Sequence, residues 1–175
     1  MAVRLLLNLT FLSILAASSC NKNLEDLMMN KTPYIGSELR IDGYYYSDDV
    51  EITDYGLAVF YRDGVCYHLF GSRDSRSIEE YIEQEILLNE SFINKLRTTP
   101  TNLGVFRIDD QIISIKHWEA ARNILALKHF GEVINDTTFI MTEVETLQGE
   151  IKNTNYTYRF KQFMPKPDST NTFIR

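Results

Sequence analysis

Residues Asn155 to Gln162 alternate without a break: Tyr156, Tyr158 and Phe160 at every second position, Thr157, Arg159 and Lys161 between them. A period of two predicts a strand with one face in a core and the other in water. Similar runs precede it. Leu39 to Ser47 holds Ile41 and Tyr44-Tyr45-Tyr46, Gly56 to Arg62 holds Leu57, Val59, Phe60 and Tyr61, and Val65 to Phe70 follows. These are residues that suit a pleated, half-buried surface. Asp63-Gly64 joins the second run to the third and predicts a tight hairpin with both turn residues at positive φ. From Ser77 to Arg97 the period changes. Ile78, Ile82, Ile86, Ile93 and Leu96 recur at helical spacing with Tyr81 and Phe92, after a Ser77/Glu80 capping box. Asn89 and Ser91 are candidate breaks in this helical stretch, and Pro100 lies beyond its end. Strand patterns then resume at Leu103 to Ile108, Gln111 to His117, Leu125 to Ile134 and Thr137 to Val144, with Asp109-Asp110 and Asn135-Asp136 as turn pairs. Trp118 to Asn123 reads as locally helical. Met164 to Arg175, with Pro165 and Pro167, reads as an extended tail.

The expected fold is therefore mostly β (α+β by content): an antiparallel meander of about eight strands with one helical insertion at 77–97. Eight strands in a meander leave two open edges unless the sheet curls shut, and closure removes that liability. The plan resembles the lipocalin-like barrels in strand number and connectivity. Gly43-Tyr44-Tyr45 loosely echoes the Gly-X-Trp of the lipocalin first strand, without its tryptophan, and the helix after strand three is an addition to that plan. The alternative is an open, strongly curved sheet with the apolar stripe of 78–96 covering one face. The domain would span 39–163, with 164–175 as its tail.

The N-terminus has a different pattern. Arg4 precedes an apolar run from Leu5 to Ala17, broken only by Asn8, Thr10 and Ser13. Thirteen helical residues reach about 20 Å, too short for a hydrocarbon core of roughly 30 Å. Residues 1–19 are read as a removed signal peptide. Leu15-Ala16-Ala17-Ser18-Ser19-Cys20 resembles the lipobox of bacterial lipoproteins, although Ala17 stands where leucine is more usual. The resemblance implies that Cys20 becomes the first mature residue and carries a diacylglyceryl thioether. It covers the N-terminus alone. Ala17 and Ser19 equally suit cleavage of an ordinary secreted protein at the same bond. Residues 20–38, polar around Leu24, Leu27, Met28 and Met29, would form the tether, with a short helical turn at Leu24 to Met28. On this reading the partner is the membrane, reached through the lipid on Cys20, and the address is the bacterial cell envelope at its outer membrane.

Cysteine and charge narrow the chemistry. With Cys20 lipidated, Cys66 is single and no internal disulfide forms. Without Arg4 the mature chain has 17 basic and 24 acidic side chains, formally −7, which argues against nucleic acid and against adhesion to anionic lipid. Cys66 and His68 share a strand face and supply two ligand types, or a nucleophile and a base. However, His117 and His129 lie on other strands with no matching spacing, so neither a metal site nor a catalytic residue is expected. Acid pairs at Asp48-Asp49, Asp109-Asp110 and Glu79-Glu80 read as turn and cap residues, not as opposed glycosidase carboxylates. No phosphate loop, zincin motif or Gly-X-Ser-X-Gly occurs. What is left is an aromatic face: Tyr156, Tyr158 and Phe160, joined by Tyr44 and Tyr46. It is either core packing or the lining of a cavity for a small apolar or aromatic ligand. The expectation is a non-enzymatic envelope lipoprotein with no cofactor, binding such a ligand or a partner protein. The alternative is a structural or accessory subunit of an envelope complex with no ligand cavity.

Overall fold

The computed structural model describes residues 29–50, 54–120, 124–146 and 148–175. The expected signal peptide, Cys20, the expected turn at Leu24 to Met28 and the end of the 118–123 segment lie outside the described residues. Eight strands run in chain order: β1 Gly43–Ser47, β2 Tyr55–Phe60, β3 Val65–Gly71, β4 Leu103–Asp109, β5 Ile112–Ala120, β6 Ile124–Asn135, β7 Thr138–Glu145 and β8 Ile151–Gln162. Each pairs antiparallel with the next, and β8 pairs with β1 through Tyr45↔Phe160 and Tyr46↔Arg159, so the meander closes into a barrel. This is the lipocalin-like plan, with helices added between β3 and β4. Closure leaves no sheet edge to pair with another chain.

The pleat sorts the side chains into two cores. Inside the barrel lie Tyr45, Ala58, Phe60, Cys66, Phe106, Ile113, Ile115, Val133, Phe139, Met141 and Tyr158. An eight-stranded barrel is just wide enough for side chains to fill it, and these rings do so: Phe60 meets Phe106 at 4.6 Å and Phe139 stacks on Tyr158 at 4.7 Å. Tyr34 and Leu39 close the end that carries the β2–β3, β4–β5 and β6–β7 turns. The second core lies outside, where the helices cover Tyr44, Leu57, Val59, Val65, Tyr67 and Leu69. β2 is buried on both faces, which is why Tyr-Gly-Leu-Ala-Val-Phe is apolar throughout while β8 alternates. Away from the helices the outer face carries Lys116, Lys128, Glu132 and Arg159. A transmembrane barrel has the opposite pattern, with its apolar band outward. No helix among the described residues is long and apolar enough to cross a membrane.

The helical insertion is α1 Ile78–Tyr81, which continues as a π-helical turn over Ile82–Leu87, then α2 Glu90–Thr98. Ser77 Oγ accepts from the Glu80 N–H at 3.2 Å, and Asn89 Oδ1 caps α2 through the Phe92 N–H at 3.1 Å. The break therefore falls at Asn89. The apolar stripe packs on the barrel wall, and two inter-element contacts fix its position: Tyr44 Oη donates to Glu83 at 3.1 Å and Tyr46 Oη to Glu79 at 2.9 Å. Lys161 Nζ meets the same Glu83 at 2.8 Å. The tail is extended but anchored. Lys166 Nζ donates to the Ile41 and Phe60 carbonyls, and Met29 bridges to Ile174.

Three local expectations change. Between β2 and β3, Tyr61 N donates to Val65 O and Gly64 N to Tyr61 O, and only Gly64 has a positive φ (87°). This is the three-residue loop that ends in a left-handed glycine, not a two-residue turn. The β4–β5 turn sits one residue later than expected, at Asp110 and Gln111, both at positive φ. Trp118 is strand, not helix, because pairing of Trp118 with Ala126 overrides the local preference for helix.

Candidate functional site

His68, His117 and His129 are all the histidines of the chain, and the barrel brings them together. Each lies on the inward face of its strand. On β3 it is Cys66 and His68 that face in, on β5 Ile113, Ile115 and His117, on β6 His129 and Val133. Ile115 pairs with His129 and His117 with Leu127, so His117 and His129 are diagonal neighbours across β5 and β6. β4 separates His68 from His117, and at that height β4 presents Gly104, paired with both Cys66 and His117. A Cβ on Gly104 would stand 2.7 Å from His117 Cβ and 2.5 Å from the Lys116 carbonyl. Gly56 similarly leaves room for the Tyr158 hydroxyl, 2.6 Å from where its Cβ would be. The missing side chains are what allow rings from β3, β5, β6 and β8 to meet.

The three imidazole centroids are 4.7, 4.8 and 4.9 Å apart, with His68 nearly perpendicular to the other two. His117 Nε2 and His129 Nε2 are 2.8 Å apart, and His68 Nε2 is 3.1 Å from Tyr158 Oη. One nitrogen from each ring can be chosen so that all three lie within 4.8 Å of one another. Phe70 covers the rings and touches Tyr156 beyond them. The histidines are 0, 2 and 3 % exposed.

Such burial dictates their charge. Removal from water lowers His117 to about 4 and His129 to about 3, the latter also through the neighbouring His117, while the Trp118 backbone pulls His117 weakly the other way. His68 lies well below the ordinary histidine value, from burial and then from the other two rings. All three are neutral at pH 7. At 2.8 Å the His117–His129 pair then shares one proton: one Nε2 donates and the other accepts. The Nδ1 atoms of all three rings have no hydrogen-bond partner of ordinary geometry. Leaving a buried polar atom unpaired costs about 1–3 kcal/mol. These are three of the five such side-chain atoms among the described residues, so the strain of unpaired polarity is concentrated in one place.

The expected aromatic face is divided. Tyr156, Tyr158 and Phe160 point inward as the alternation implied, but Tyr44 and Tyr46 lie on the outer wall, bonded to the helices. Adjacent Tyr45 takes the inward place, and its hydroxyl donates to the Asp136 carbonyl at 2.8 Å. Tyr158 stacks on Phe139 and faces His68, while Phe160 packs on Tyr45 at 5.2 Å under the Arg40 guanidinium. Cys66 is fully buried and outside the histidine cluster, and burial raises its thiol far above the usual range. A thiolate nucleophile is not formed there.

Spacing along the chain does not reveal the histidine cluster, because its members come from three separate strands. The usable signal was face, not spacing: by parity alone, every histidine of the chain falls on an inward side. Neither a protein-family model, nor a curated protein, nor a solved structure matches this chain. The class it defines is an eight-stranded antiparallel barrel with a filled interior and a polar, imidazole-lined height within it.

Proposed function

We propose that the protein is a non-enzymatic lipoprotein of the bacterial envelope, tethered at the outer membrane through Cys20, whose barrel binds a small ligand at the histidine height of its interior. The tether rests on the lipobox-like string that ends at Cys20. Two or more acyl chains would hold it stably, at about 0.8 kcal/mol per buried methylene. The ligand reading rests on three neutral imidazoles gathered in the core with their Nδ1 atoms lacking hydrogen bonds of ordinary geometry, and on the Tyr158 hydroxyl beside His68 Nε2. Buried polar groups without partners are unusual in a core that serves packing alone. An apolar ligand is disfavoured, since Tyr45, Phe60, Phe139 and Tyr158 already occupy the barrel.

The second reading is an accessory subunit that docks a neighbouring envelope protein. The filled interior supports it, as do the exposed Ile112 and Ile134 on the paired strands β5 and β6. Native mass spectrometry of protein purified from its host tests both. The first reading expects a diacylated N-terminus, lost in Cys20→Ser, and a small adduct on the mature chain. A bare mass with a co-purifying protein would replace it with the second, and a soluble, unacylated product would overturn the tether.

A further inference from the structure

We propose that His68, His117 and His129 form a binding site for one late first-row transition-metal ion inside the barrel. The proposal rests on the small-ligand reading above and names that ligand's class.

The donor set selects the metal. Three imidazoles with no carboxylate and no thiolate among them do not suit calcium or magnesium, which require oxygen, or an iron–sulfur cluster, which requires sulfur. Imidazole nitrogen suits zinc, copper and nickel, and three histidines with one open position is a recurrent zinc arrangement. Size agrees. Tetrahedral metal–nitrogen bonds of about 2.0–2.1 Å place the nitrogens about 3.3 Å apart. The His117 and His129 nitrogens, at 2.8 Å, already bracket such a point and need only separate slightly. The widest pair, at 4.8 Å, must close by roughly 1.5 Å. That closure requires the His68 ring, packed against Phe70, His117, His129 and Tyr158, to turn in place and to release or share its hydrogen bond with Tyr158.

The environment also fits. The ligands project from three strands of a closed sheet, a rigid frame for a coordination site. Neutral imidazole is the form that coordinates, and the burial of these rings keeps them neutral. Coordination through both Nε2 atoms of His117 and His129 would take the place of the hydrogen bond between them, with the Nε2 proton of the donating ring moved to its own Nδ1, so that both rings coordinate as neutral imidazoles. Because the three ligands bring no negative charge, the fourth position has to supply some, as a bound hydroxide or through Tyr158. The Tyr158 hydroxyl faces His68 with its ring held by stacking on Phe139. The gap left by Gly104 keeps the wall between His68 and His117 clear.

The test uses the full mature chain, stripped with chelator and then loaded with Zn²⁺ or Co²⁺. Because the rings are buried, loading is done both on the native protein and during refolding. The expected results are one ion per chain, a Co²⁺ spectrum with the strong visible bands of a tetrahedral site, and an X-ray absorption shell of three imidazoles at about 2.0–2.1 Å for Zn²⁺. The double variant His117→Gln, His129→Gln should weaken Zn²⁺ binding by 100-fold or more, and Tyr158→Phe by about 10–100-fold, as for loss of an orienting group. Absence of binding by either route, an oxygen-only shell, or unchanged affinity in the double variant would overturn the site. The absorption shell is read on the wild-type chain, so a variant that fails to fold does not blunt the test. A chain that holds an organic adduct but no metal loses this proposal and keeps the ligand reading. A chain that binds Zn²⁺ but is not acylated loses the tether and keeps the site.

Discussion

Lowering the pH from 7 to 5 should destabilise the metal-free protein sharply, and the histidine cluster sets the size of the effect. In the unfolded chain a histidine titrates near 6.5, whereas in the barrel His117 titrates at about 4, His129 at about 3 and His68 well below its ordinary value. The native state therefore refuses protons that the unfolded state accepts, so stability is fully present above about pH 7 and falls as pH drops through the unfolded value toward the native ones. At pH 5, 1.5 units below 6.5, each group contributes a loss of about 2 kcal/mol, so the three together account for about 6 kcal/mol. That is comparable to the whole stability of an ordinary domain, about 5–15 kcal/mol. Among the described residues, the faces packed on the rings hold no compensating anion. Tyr158 stays neutral because burial raises its hydroxyl, and Cys66 is likewise held as the thiol. Carboxylates held below their ordinary values, Asp42, Asp49, Asp63, Asp74, Asp168, Glu38 and Glu79, withdraw their stabilisation as pH falls through and below the ordinary carboxylate values near about 4, so most of their effect lies beneath this window. Urea unfolding in chelator at pH 7, 6 and 5 measures the effect. With an m value near 2 kcal/mol/M, about 6 kcal/mol moves the midpoint by about 3 M. The double variant His117→Leu, His129→Leu should retain only about a third of the pH dependence. A wild-type stability at pH 5 within about 1 kcal/mol of that at pH 7 would show that the rings are not buried neutral, and the reasoning would fail.

Three further outcomes follow from the same packing. Cys66 should resist iodoacetamide in the native protein at pH 8 and react once the chain is unfolded in guanidinium; mass spectrometry reads both, and rapid native labelling would contradict its burial. Gly104→Ala should cost about 2–3 kcal/mol, because its Cβ would meet the Lys116 carbonyl and His117 Cβ well inside contact distance; a thermal melt unchanged from wild type would mean that the β4–β5 spacing is looser than described. Asn89→Ala should cost about 1 kcal/mol through loss of the α2 cap, with Asn89→Ser restoring most of it. Equal melting temperatures for Asn89→Ala and wild type would show that tertiary packing alone ends the helix break.

Much of the architecture was legible because alternation reports burial directly. The inward set on β8, the Asn89 break and the helical stripe all come from one-dimensional periodicities that the pleat and the helix convert into faces. Tyr44 and Tyr46 were not legible in the same way. Parity places both opposite Tyr45, but only the docked helices turn the outer wall of β1 into a second core, so an apolar residue there gives no sign of which side is the barrel. The β4–β5 turn shifted by one residue for a related reason: strand pairing fixed the register, and Asp110 and Gln111 accept the left-handed conformation that it demands.

The sequence by itself determined the strand count, the order of hairpins, the position of the helical insertion and the inward face of most strands, because these depend on contacts between near neighbours. Closure of β8 on β1 and the meeting of His68, His117 and His129 were decided only by the tertiary structure. Which inward residues share a height in a closed barrel depends on strand tilt, stagger and the bulge between Phe130 and Gly131, and these are properties of the whole sheet. Three histidines 49 and 12 residues apart along the chain become neighbours for that reason alone.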